Sequence, residues 1–266
     1  MHSPVLKRPP RRAGWSGRVA TALRFGVVIA SGSVLALPVW TAVSRWDALP
    51  LDVVWRSVWS ATVAAVISTT VAIAIASHRP LRQRSMTHGG ILNRLFGWAV
   101  DVPIALPPVV LGFALLAFVR GPLAGLDNEL SITATAAAVV IAQVAATLPL
   151  ACRLAESTLA AAQSNAFAVL ATGGAGPGSL AVNRVRESAP SLAAVAVLTW
   201  ALAFATFGPV LVFAGATAGR TEVLPTAIYL HIAAGELAVA SRLSAVMILV
   251  AVVVTAAARR WTYRNG

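Results

Sequence analysis

A glycine-rich run, Gly173–Gly178, is the segment whose composition comes closest to a phosphate-binding loop. It holds four glycines in six residues. A Walker A loop uses such backbone freedom to bring N–H groups onto phosphates, but it also needs a Gly-Lys-Ser/Thr sequence. The only lysine of the chain is Lys7. The chain therefore has no such nucleotide-binding loop of its own, and we interpret the run as a flexible turn after a short helix over about residues 165–171.

The titratable side chains show no spacing that supports catalysis or metal binding. The chain has four histidines, nine carboxylates and one cysteine in 266 residues, and the histidines are scattered rather than spaced as ligands. Because Cys152 is the only cysteine, the chain forms no internal disulfide and no cysteine-based zinc or iron–sulfur site. We expect Cys152 to be a small packing residue, and we expect no enzyme activity, no cofactor and no metal.

A second segment, Asp101–Gly112, has the residues of an interrupted helix. Pro103, Pro107 and Pro108 remove backbone donors and oppose a regular helix. At membrane depth such a break is tolerated only where protein or a water-filled cavity covers the freed backbone groups. The segment therefore favours a translocation path, with a simple proline kink in a packing helix as the alternative. Asp101 is a candidate cap for a helix beginning near Pro103, or an interfacial residue.

Most of the chain consists of long apolar runs, and the proline segment lies in one of them. Hydrophobic residues make up 58% of the chain and charged residues 11%, whereas soluble domains have about 25% charged residues. The runs match the roughly 20 residues that a helix needs to cross a bilayer, and they lack the alternation of a membrane barrel. We predict an all-α membrane bundle with one transmembrane domain, residues 25–258, and about six spans, at residues 25–43, 53–77, 96–119, 131–152, 192–214 and 238–258.

The arginines predict the orientation of these spans. They concentrate in the tail 1–24, in alternate loops and in the tail 259–266, which the positive-inside rule places in the cytoplasm together with both termini. A signal peptide is the alternative for the first apolar run, although that run is longer than a signal peptide's core. Because the net charge of +12 is divided among loops and forms no single face, we expect no nucleic acid partner.

The longest predicted cytoplasmic stretch, residues 153–191, is rich in small and apolar residues. A solvated loop would be polar, so this stretch either packs against the bundle or forms a docking surface for another protein.

Two motifs resemble the transmembrane permease subunits of bacterial ABC importers, within the branch for molybdate, tungstate and sulfate. The first, Asp101–Leu116, reads Asp-Val-Pro-Ile-Ala-Leu-Pro-Pro-Val-Val-Leu-Gly-Phe-Ala-Leu-Leu. The second, Phe207–Tyr229, begins Phe-Gly-Pro-Val-Leu-Val-Phe-Ala-Gly. Both are similar to that branch's segments in order and spacing, and Gln143–Arg153 is a third, weaker match. The resemblance covers roughly residues 57–259.

The resemblance implies a type I importer permease in the cell membrane. Two copies would enclose a central path, an extracytoplasmic solute-binding protein would deliver the anion, and two cytoplasmic ABC ATPases would hydrolyse ATP. With the proline cluster, it implies a translocation path that includes Pro103, Pro107, Pro108, Gly112, Phe207 and Gly208. It also implies an ATPase-docking loop, in which the family's initial glutamate has no counterpart, at Ala166, Phe167, Ala168, Gly173, Gly174, Ala175 and Gly176.

These observations lead to one main hypothesis, a homodimeric permease that imports molybdate-like oxyanions. A permease for sulfate, thiosulfate, phosphonate or another small solute is the alternative within the same class. A non-transporting membrane scaffold is the alternative from a different class.

Overall fold

The computed structural model describes residues 50–78, 91–125, 127, 132–161, 173–174 and 176–265, together with Ala36 and Trp40. All regular structure within these ranges is helical, which confirms the predicted fold class. A short 3₁₀ turn, Ile132–Ala134, precedes the fourth helix. The α-helices are α1 Leu51–His78, α2 Ile91–Ala105, α3 Pro108–Arg120, α4 Ala136–Ala161, α5 Pro177–Glu187, α6 Ala189–Phe204, α7 Gly208–Phe213, α8 Leu224–Ala233 and α9 Leu237–Asn265.

Within the described part of the chain, three helices are long and apolar enough to cross a membrane by themselves. They are Leu51–Ser77, Ala136–Ala161 and Leu237–Ala258, and they correspond to the predicted spans 53–77, 131–152 and 238–258. The middle one continues to residue 161 because Ala155 and Leu159, beyond the predicted end, are fully buried. The predicted first span, 25–43, lies outside the described residues except for Ala36 and Trp40, and so does the basic tail.

Two other predicted spans are interrupted helices. The span at 96–119 consists of α2 and α3, which are separated at Leu106 and Pro107, where the proline cluster predicted a break. Pro103 is accommodated inside α2. The span at 192–214 was predicted as continuous and consists of α6 and α7, separated over residues 205–207. A 72° bend between α5 and α6 precedes it.

Helices α1 and α4 pack along each other at the centre of the bundle. One apolar cluster joins α1 to α6, α8 and α9, and includes Ala61, Phe204 and Leu243. A second cluster joins α1, α2 and α4, and Cys152 lies buried in it, as predicted for a packing residue. A third cluster joins α3, α4 and α7. The interrupted helices are thus held against α4 from two sides.

The short helix α8 was not predicted. It begins where the backbone N–H of Leu224 donates a 2.7 Å hydrogen bond to Ser57 Oγ on α1. The Ser57 hydroxyl in turn donates to the carbonyl of Val53 at 2.7 Å, and both Ser57 and Leu224 are buried. This buried serine fixes the entry of α8 into the bundle.

Candidate functional site

The two helix interruptions face one cleft. The cleft has a volume of about 470 Å³ and is lined by the α2–α3 break, the α6–α7 break and one face of α4. Of the residues predicted for a translocation path, Pro103, Pro108, Phe207 and Gly208 line it. Segments that are about 100 residues apart in sequence therefore line a single cavity.

Two glycines set the distance between the walls. A Cβ atom on Gly112 of α3 would lie 2.8 Å from Pro209 Cα and 3.1 Å from its carbonyl oxygen. A Cβ atom on Gly208 of α7 would lie 3.0 Å from Val109 Cγ2 and 3.2 Å from the Val109 backbone nitrogen. The backbones of α3 and α7 thus touch at a crossing that side chains would prevent. Gly112 lies in this contact and does not itself line the cleft, whereas the neighbouring Leu111 does.

Pro107 sits at the break itself. Its φ and ψ of −56° and 133° are extended, and the next residue begins α3. The backbone N–H of Val110 donates to the Pro107 carbonyl at 2.9 Å, which closes the first turn of that helix. Since a proline at the first helical position removes only a donor that lacks an intrahelical partner, Pro107 and Pro108 end one helix and start the next at little cost.

Side chains satisfy the broken end of α6. The Thr206 hydroxyl donates to the carbonyl of Leu202 at 2.8 Å, and Thr206 N–H donates to the carbonyl of Ala203 at 3.2 Å. Gln143 of α4 donates through Nε2 to the same Ala203 carbonyl at 3.1 Å. Only an amide nitrogen can donate there, which fixes the orientation of the Gln143 amide. The break therefore needs no water to satisfy these carbonyls.

Sequence reasoning missed Gln143 and Thr206 as site residues. The available signal was a glutamine in the middle of an apolar span, a polar group that is expensive to bury unless it has a partner. Gln143 is 1% exposed.

The cleft offers neutral chemistry. None of the described residues that line it carries a charged side chain; its polar side chains are those of Thr147 and Thr206. Both hydroxyls donate to nearby backbone carbonyls, Thr206 to Leu202 of α6 at 2.8 Å and Thr147 to Gln143 of its own helix at 2.8 Å. Thr147 Oγ1 also lies 2.9 Å from Ser68 Oγ on α1. Such a surface presents no fixed charge to a solute in the cleft.

The predicted capping role of Asp101 is wrong. Asp101 lies inside α2, which begins at Ile91, so no helix starts beside it. Its carboxylate instead accepts two hydrogen bonds from Arg153 of α4, from Nε and from Nη2, both at 2.7 Å. Asp101 thus connects two helices, and its partner is 52 residues away in sequence.

The structure describes three residues of the predicted docking loop. Gly173 and Gly174 form an exposed turn, in which Gly174 has a φ of 79°, and Gly176 precedes the first turn of α5. Ala166, Phe167, Ala168 and Ala175 lie outside the described residues, and so does the predicted helix at 165–171. The glycine run therefore leads into a new helix, α5, which was not predicted.

The flanks of that loop are tied to each other. Arg184 of α5 is 6% exposed, and its Nη2 donates to the carbonyl of Leu159 near the end of α4 at 3.1 Å. Parts of the 153–191 stretch thus pack against the bundle, which was one of the two alternatives for it. Among the residues that the structure describes, no group of three or more His, Cys, Asp or Glu side chains could hold a metal ion.

Comparison with known proteins identifies the family. No family model matches the chain. It is 36% identical over 176 residues to the molybdenum transport system permease protein ModB of Mycobacterium tuberculosis, covering 64% of this chain and 67% of that protein. It is 31% identical over 190 residues to ModB of Azotobacter vinelandii, covering 69% and 80%. It is 30% identical over 146 residues to the probable transport system permease protein NifC of Clostridium pasteurianum, covering 53% and 51%. The chain therefore belongs to the family of the molybdenum transport permeases, in the oxyanion branch of the ABC transporter permeases that its two motifs resemble.

Proposed function

We propose that this chain is the membrane-spanning subunit of an ATP-driven importer that carries molybdate or a related oxyanion into the cell. The observation that carries the proposal is the pair of helix interruptions that share one cleft. Interrupted helices at membrane depth are typical of substrate paths in transporters. The relatives named as molybdenum transport permeases support the choice of anion.

The neutral lining of the cleft is compatible with an oxyanion. Helix N-termini and backbone N–H groups can meet an anion without a fixed cation. A buried arginine in the path would hold the anion tightly and slow its release. In the proposed cycle, affinity comes from a solute-binding protein outside the membrane, and the path needs only to let the ion pass.

The proposed assembly is a homodimer in the lipid membrane with two cytoplasmic ATPases. Helix α3 packs on α7 and α4, while Val109, Phe113 and Phe118 remain 53–63% exposed. Such apolar side chains suit lipid or a second copy of the chain that completes the path. ATP is hydrolysed by the partner subunits, which dock at the loop around residues 166–176. Both termini lie in the cytoplasm, as the arginine distribution predicts.

Uptake by proteoliposomes tests the substrate. Vesicles that contain the permease, its ATPase and its binding protein should accumulate labelled molybdate only when ATP is enclosed with the ATPase. Excess tungstate should compete with molybdate, and chloride should not. If unlabelled molybdate and tungstate leave sulfate uptake unchanged while molybdate itself is not carried, the molybdate assignment is wrong and sulfate replaces it.

Capture of the ATPase tests the docking loop and the scaffold alternative. Gly174 has positive φ and open space around its Cβ position, so Gly174→Asp adds backbone strain and charge in the exposed turn. Gly178→Asp is the matched control, because its Cβ position is equally open and its φ is ordinary. The wild type and the control should retain the ATPase, and Gly174→Asp should lose most of it. A wild type that captures no ATPase would support the scaffold.

A further inference from the structure

The pair Arg153–Asp101 joins the helix that leads to the docking loop with the helix that leads to the break. We propose that this pair is the mechanical link by which movement of the ATPase reaches the cleft. The inference rests on the proposed function, since it assigns a role within the same ATP-driven cycle.

The geometry of the pair is that of a rigid connection. Two parallel hydrogen bonds of 2.7 Å join the guanidinium to the carboxylate, and this bidentate arrangement fixes orientation as well as distance. The remaining guanidinium nitrogen, Nη1, donates to Glu156 at 2.9 Å on the same helix. Nη2 also reaches the Gly97 carbonyl at 3.5 Å. Arg153 is therefore oriented by Glu156 on its own helix, α4, and bonded to α2 at Asp101 and at the Gly97 carbonyl.

The pair lies between the proposed docking loop and the break between α2 and α3. Arg153 lies about 12 Å along α4 from the end of that helix at Ala161, where the chain enters the docking loop. Asp101 lies one helical turn before the end of α2 at Ala105, and the break at Leu106 and Pro107 follows directly. A shift of the cytoplasmic end of α4 thus pulls on α2 close to the cleft.

The two halves of the interrupted span have different main packing partners. Helix α2 packs on α4, where Phe96 and Val100 join Ala155 and Leu159 in one apolar cluster. Helix α3 packs mainly on α7 through the glycine crossing. The break therefore separates a half that packs on α4 near the docking loop from a half that packs mainly on α7. If α2 moves with the end of α4, the cleft changes shape at the break.

The proposed link can be separated from general stability. Both partners are partly exposed, at 30% and 50% of their side-chain surface, and partly exposed ion pairs add little to stability. Asp52 provides a matched control, because it also pairs with an arginine at 2.7 Å and is 62% exposed. Its partner, Arg56, lies on the same helix. Asp101→Asn and Asp52→Asn thus remove the same charge from pairs of similar exposure, and only the first pair connects two helices.

Thiol modification in the assembled transporter tests the link without any transported substrate. A Leu106→Cys variant places a thiol in the cleft lining, and the native Cys152 is 2% exposed. In complex with the ATPase, trapping with ATP and vanadate should change the modification rate of this thiol about 5-fold or more, the range of typical allosteric couplings. Adding Asp101→Asn should reduce the change to less than about 2-fold, while Asp52→Asn retains it.

Further variants show whether the effect of Asp101→Asn comes from loss of the ion pair or from a local disturbance of the structure. Asp101→Glu keeps the carboxylate and should restore most of the ATP-dependent change. Asp101→Asn combined with Arg153→Gln should lower the ATP-dependent change little further, because the bonds to Asp101 are already lost. Of the other Arg153 bonds, only the 3.5 Å contact with the Gly97 carbonyl reaches α2. A full ATP response in Asp101→Asn would overturn the inference, and so would an ATP-independent rate in the Leu106→Cys background. Molybdate uptake, measured separately in the wild type, decides the proposed function.

Discussion

Replacing Gly112 by alanine should force the two walls of the cleft apart. The added Cβ would lie 2.8 Å from Pro209 Cα, whereas ordinary van der Waals contact begins at 3.4 Å. Helices α3 and α7 must therefore separate by about 0.6 Å at the crossing. Because the opposing atom belongs to the backbone of a proline, no side-chain rotation can relieve the contact.

The free energy of unfolding should fall in this variant. Overpacking of a close contact costs about 1–3 kcal/mol, and replacing glycine by alanine inside a helix returns about 1 kcal/mol. We expect a net loss of up to about 2 kcal/mol. Gly97→Ala in α2 is the control, since its Cβ would meet no atom closer than Arg153 Nη2 at 3.9 Å. That control should gain about 0.5–1 kcal/mol.

Thermal unfolding of the purified permease in detergent measures the two effects, which should have opposite signs. Uptake by proteoliposomes then shows whether the displaced wall alters passage, and the rate should fall several-fold in Gly112→Ala alone. A Gly112→Ala permease as stable as Gly97→Ala would refute the close crossing of α3 and α7.

Three further variants test buried hydrogen bonds by thermal unfolding. Ser57→Ala leaves the buried Leu224 N–H without its acceptor and should cost about 1–3 kcal/mol. Ser77→Ala, which removes only an exposed hydrogen bond to Ala74 on the same helix, should cost less than about 0.5 kcal/mol. Equal losses would contradict this role of Ser57. Gln143→Met keeps the volume but removes the donor to Ala203; it should cost about 0.5–1.5 kcal/mol and lower uptake, and unchanged uptake would remove Gln143 from the site. Arg184→Met removes the donor to the Leu159 carbonyl and should cost about 1–3 kcal/mol, so an unchanged midpoint would show that the two flanks are not tied in this way.

The sequence by itself determined the features that depend on local chemistry. The apolar runs predicted membrane-spanning helices because the length of a run and the lack of charge suffice to favour the bilayer. Pro107 and Pro108 predicted the break between α2 and α3, since a proline lacks its donor in any environment. The glycine run lacks the Gly-Lys-Ser/Thr sequence of a Walker A loop, so the sequence predicted no such loop in this chain. Motif order was enough to indicate the permease family.

Only the tertiary structure decided which residues contact one another across the helices. The crossing of Gly112 with Pro209, the pairing of Asp101 with Arg153 and the contact of Ser57 with Leu224 join residues 52 to 167 positions apart. The second break, at residues 205–207, was also missed, because its carbonyls are satisfied partly by Gln143 from another helix. Local propensity carries no information about such partners. In a membrane bundle of similar apolar helices, the choice of partner depends on close backbone approach and on a few buried polar groups, and both exist only after the helices have packed.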